Sequence, residues 1–135
     1  MKFKRGWGAY GKPLSEINMN PTERYDPKNP PAKDFMGHLT LSVTRDGFAY
    51  AADRQADRVQ VFTKQGKFVK EFAVAPETLD RASTGGLTFS PPPEQRFIYI
   101  SDIMNNVIWI VNRADGKTLG EVDTGKRVQR FLVQR

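Results

Sequence analysis

The sequence predicts an all-β chain: two four-stranded antiparallel meanders with partial strands at the two ends. Three observations predict it. Short segments of alternating apolar and polar residues recur about every ten residues. Turn formers such as Arg45-Asp46-Gly47 and Lys64-Gln65-Gly66 separate them. The second and third segments of the second set also repeat those of the first at one distance.

Residues 1–35 are the least regular. They read as one short strand over Lys2–Tyr10, then an irregular loop through Ala32 that holds Pro13, Pro21, Pro27, Pro30 and Pro31. A loop of this length is functional or pinned against a neighbour. The first meander occupies residues 36–74. Its strands are Leu39–Val43, Phe48–Ala52, Val59–Phe62 and Lys67–Ala73. The second occupies 84–123, with strands at Gly86–Ser90, Phe97–Ser101, Val107–Val111 and Lys117–Val122. Residues 124–135 hold a partial strand, and only Glu77–Ala82 suggests a helical turn.

The second and third strands of the two meanders align without a gap. Tyr50-Ala51-Ala52-Asp53 matches Tyr99-Ile100-Ser101-Asp102, and Val59-Gln60-Val61 matches Ile108-Trp109-Ile110, each 49 residues on. A period of this size belongs to the blades of β-propellers. Arg58-Val59-Gln60-Val61-Phe62 returns a third time, in part, as Arg127-Val128-Gln129-Arg130-Phe131.

The string from Arg45-Asp46-Gly47 through Tyr50 and Asp53 to Arg58, Phe62 and Gly66 resembles the NHL repeat. The second meander keeps Asp102, Asn105 and Gly116 but has Val107 in the arginine position. Together with Trp7-Gly8-Ala9-Tyr10-Gly11, the whole chain resembles bacterial six-bladed propeller proteins of the NHL type. Those proteins are longer, so the resemblance implies an internal deletion or truncation that joins a last-blade fragment to the second blade. It also implies two functional classes. One is a module that binds a small molecule, a glycan or a protein. The other is a metal-dependent hydrolase or lyase, lactonase-like or peptidyl-hydroxyglycine lyase-like.

Particular residues carry these expectations. Asp53 and Asp102 suit the turn between the second and third strands, because a short carboxylate accepts from nearby backbone N–H groups. Arg58 lies close enough in sequence to reach back to that turn. Gly47, Gly66 and Gly116 suit turns that a Cβ would resist. Val59, Val61, Ile108, Ile110, Tyr50, Tyr99, Phe62 and Trp109 suit packing between blades. His38 is the one histidine, and three copies of it on a ring axis would make a zinc site. Asp53, Asp102, Asn105 and Asn106 are the residue types of a calcium site.

One blade cannot cover both of its own faces, and two blades leave two faces open. The expected partner is the chain itself, with a trimer closing a six-bladed ring. The formal net charge of +6 comes from scattered Lys and Arg, densest at Lys126-Arg127, Arg130 and Arg135. No recognition helix or basic stripe accompanies it, so no nucleic-acid partner is expected. No apolar run is long enough to span a membrane. No signal peptide opens the chain, which points to the cytoplasm, or to secretion or the periplasm if a leader has been removed. With no cysteine, thiol chemistry and disulfides are excluded.

Overall fold

The computed structural model describes residues 1–79 and 83–124. Eight strands stand among them. Strands β1 (Leu39–Val43), β2 (Phe48–Asp53), β3 (Arg58–Thr63) and β4 (Phe68–Ala73) form sheet one. Strands β5 (Gly86–Phe89), β6 (Phe97–Asp102), β7 (Val107–Asn112) and β8 (Thr118–Asp123) form sheet two. Each sheet is an antiparallel meander in chain order, as the alternating pattern requires.

Period-two alternation sorts the side chains into faces. In sheet one Tyr50 is opposite Val61 and Ala52 opposite Val59, and these residues look toward sheet two. Sheet two answers with Leu87, Ile98, Ile100 and Val111. Together they form the main core, with Phe48, Phe72, Phe89 and Trp109 at its margin. Tyr50 meets the edge of Phe89 with centroids 4.9 Å apart. At 20–33 cal/mol per Å² of apolar surface removed from water, a buried Ile or Val side chain contributes roughly 1.5–3 kcal/mol. This contact between the sheets is the main source of stability.

The other face of sheet one carries Ala49, Ala51 and Phe62. Among the described residues no third sheet covers it. Trp7 and Phe35 of the N-terminal segment do, together with Phe68. Phe62 therefore packs away from sheet two, on the side opposite Tyr50 and Val61. Cover stops short of β1, where Leu39, Leu41 and Val43 are 47%, 60% and 54% exposed.

The repeat extends to backbone irregularities. The β3–β4 ladder shifts register between Val61 and Phe62, and the β7–β8 ladder does so between Ile110 and Val111, 49 residues on. Gly47, Gly66 and Gly116 all have positive φ, as the turns demand.

Two expectations need revision. Residues 2–7 pair with no strand, and Ala9–Gly11 forms a 3-10 turn in place of the end of the expected strand. The reason is that a β segment needs a neighbour on its edge, and among the described residues this one has none. Of the turn expected at Glu77–Ala82, the described residues Glu77–Leu79 are not helical; a turn instead closes over Ala75–Thr78, by Thr78 N donating to Ala75 O. The remainder of that stretch, the partial strand at 127–131 and the basic cluster lie outside the described residues.

Gly66 and Gly116 are close-packed as well as left-handed. A Cβ on Gly116 would come within 2.6 Å of the Phe72 ring, and one on Gly66 within 2.7 Å of Trp7. Gly116→Ala is therefore expected to cost about 2 kcal/mol or more, combining backbone strain with overpacking. Urea unfolding of the variant against the parent chain measures it.

Candidate functional site

Antiparallel meanders send alternate connections to opposite ends. The β2–β3 and β6–β7 turns, the long β4–β5 connection and the entry to β1 share one end. The fold thus gathers His38, Asp53, Arg58, Asp102 and Asn105 at the end that also bears the long loops.

Asp53 is fully buried, and its role differs from the one expected. Its side chain does not cap its own turn. Its carboxylate accepts from the backbone N–H of Met36, at 3.1 and 3.2 Å, and from Arg58 Nε at 3.1 Å. Burial outweighs these favourable contacts and holds the Asp53 carboxyl above the usual carboxylate range. Arg58 extends the link to the N-terminal segment. It donates to Ala32 O at 2.8 Å, Asp34 O at 3.0 Å and Tyr10 Oη at 3.2 Å. Tyr10 in turn donates to Glu71, and Gln60 joins Glu71 to the backbone of Tyr10. The pair that resembled a turn motif is a clamp, holding the irregular segment to sheet one.

Asp102 does cap its turn. Asn105 N donates to Oδ1 at 3.0 Å, and Trp109 Nε1 donates to Oδ2 at 2.8 Å. Trp109 supplies a side-chain donor that Val107, standing in the position of Arg58, cannot. Asn105 Nδ2 donates to Asp102 and to Thr78. Its amide is spent on tying the β6–β7 turn to the β4–β5 connection.

His38 is exposed, with φ of 54° at the entry to β1. Among the described residues no three His, Cys, Asp or Glu side chains gather closely enough to hold a metal ion. Asp53 and Asp102 are each engaged in protein hydrogen bonds.

Asp57, which sequence reasoning passed over, is a third buried carboxyl at this end. It sits in the left-handed region and has no exposed surface. Its Oδ1 accepts from Ser83 N at 2.7 Å and Ser83 Oγ at 3.0 Å, while Oδ2 has no protein partner. Burial pushes this carboxyl up to about 6; the Ser83 bonds oppose the shift and the Asp102 charge adds to it. The only sequence signal was an Asp just before Arg58, which reads as one more turn residue.

A cleft of about 740 Å³ lies between the Pro-rich segment and sheet one, walled by Tyr25, Pro30, Met36, Arg58, Glu71 and Phe72. At the opposite end, Arg113 bridges the sheets through Tyr50 Oη at 3.0 Å and Asp46 at 2.6 Å. No protein-family model matches the chain, and no curated protein matches it.

Two outcomes follow from the buried charges. Arg58→Ala leaves Asp53 buried without its partner, and a loss of about 3–5 kcal/mol in chemical denaturation is expected. The folded chain also binds the Asp57 proton more tightly than the unfolded chain does. Stability should therefore rise as pH falls from 7.5 through about 6 toward the unfolded value of 3.8. Unfolding curves at several pH values should show this rise in the parent chain and a smaller one in Asp57→Asn, where the raised Asp53 carboxyl still contributes.

Proposed function

We propose that the chain is a β-propeller interaction module of the NHL-repeat type, which associates with copies of itself head to tail and offers a ligand cleft in each copy. Supporting this is the outer face of sheet two. Tyr99, Ile108 and Ile110 stand on it at the repeat positions of Tyr50, Val59 and Val61. In sheet one those three residues are 2%, 0% and 1% exposed, because sheet two covers them. Among the described residues, no sheet covers their counterparts.

The complementary half is open along β1. Register places Leu41 opposite Ala51 and Leu87 opposite Ile100, so Leu41 and Leu87 hold the same repeat position. Leu87 is 9% exposed against sheet one, whereas Leu41 is 60% exposed. One apolar interface is therefore closed inside the chain and presented in halves at its two ends. Such a heterologous contact forms a ring when the rotation closes. Three two-sheet copies would supply six sheets. The cleft beside Arg58 and Tyr25 is of a size for a small molecule, a sugar or a peptide side chain.

Sedimentation velocity tests the association. The expected species is three times the 15.3 kDa chain mass. Ile110→Lys, placed on the outer face where it leaves the internal core intact, should return it to the single-chain mass. A parent chain that stays at single-chain mass at high micromolar concentration would overturn the proposal.

A further inference from the structure

The N-terminal segment touches sheet one as β4 touches sheet two. Trp7 lies on Gly66, and Phe72 of β4 lies on Gly116 at the equivalent turn. Two residues before each ring stands a cation. Arg5 donates to Lys64 O at 3.3 Å, and Lys70 donates to Ala114 O at 3.0 Å. Lys64 and Ala114 each precede their glycine by two residues. The spacing, the ring, the cation and the acceptor all correspond.

We infer that residues Arg5–Trp7 occupy a docking groove built for the outermost strand of a neighbouring sheet, and that the strand they exclude is β8 of a second copy. The inference rests on the head-to-tail association proposed above. Register identifies the competitor. Phe72 is opposite Val59 and Val122 is opposite Ile108, so Val122 takes the repeat position of Phe72, and Gly120 that of Lys70. A second copy stacked on sheet one in the manner of the internal interface brings Val122 to Gly66, where Trp7 already sits. Valine fills less of that site than indole, and Gly120 has no cation to offer Lys64 O. The chain's own segment also pays no cost of bringing two molecules together. Arg5–Trp7 therefore acts as a plug that weakens assembly, and displacing it exposes Gly66, Phe62 and Phe68 to the incoming sheet.

The test compares association constants by sedimentation equilibrium. Trp7→Ala should tighten self-association at least tenfold, and a synthetic peptide of residues 2–8 should reverse the gain. Trp7 also covers Phe62, so a second variant guards against unfolding. Gly120→Lys/Val122→Trp gives β8 the plug's own pair on an exposed strand, and it should also tighten association. If the parent chain associates and Ile110→Lys abolishes this, yet neither Trp7→Ala nor the β8 variant changes the constant, the plug is overturned and the association stands. If no variant associates at all, both fall.

Discussion

A β-sheet with apolar residues on both faces requires a layer on each side, and the rest of this structure follows from how that requirement is met. Between the sheets it is met by Tyr50, Val59 and Val61 against Leu87, Ile98, Ile100 and Val111. On the far side of sheet one it is met by an irregular segment carrying Trp7 and Phe35. On the far side of sheet two no sheet among the described residues meets it.

The irregular cover has its own requirement, since loop backbone laid over a sheet must find partners for its polar groups. Arg58 serves this purpose by donating to the carbonyls of Ala32 and Asp34, and Asp53 accepts from Met36 N. A guanidinium suits the role because its five donors leave in a planar fork and reach several acceptors at once. Burial of this pair is costly by itself. Here it is offset by hydrogen bonds at both groups, and the result is that the segment is held in one position.

Much of the fold was legible because its signals are local. Alternation marks strands, and Gly47, Gly66 and Gly116 mark turns. The eight expected strands match the observed ones to within one residue at every end. The repeat of Tyr50 at Tyr99 and of Val61 at Ile110 reappears in the register, where Tyr50 lies opposite Val61 and Tyr99 opposite Ile110. What stayed hidden was long-range. The expected strand at Lys2–Tyr10 was drawn from its own residues, whereas pairing depends on a neighbouring strand, and among the described residues it has none. Asp53 was given to its own turn because sequence proximity favours that partner, and its actual donor at Met36 comes from a loop with no periodic signal. Asp57 became notable only when the β4–β5 connection folded over it through Ser83. The residues singled out in the sequence thus share one end of the sheets, with Arg58 reaching back to Asp53 as its position suggested and the Met36 and Ser83 contacts unforeseen.

The register shift at Val61/Phe62 and its recurrence at Ile110/Val111 have a broader consequence. A bulge bends its strand and increases the local twist, and here both sheets carry the shift at the same repeat position. Curvature that is written into every unit makes the units interchangeable in tandem. Gene duplication can then lengthen or shorten such an array by whole units without redesigning any junction.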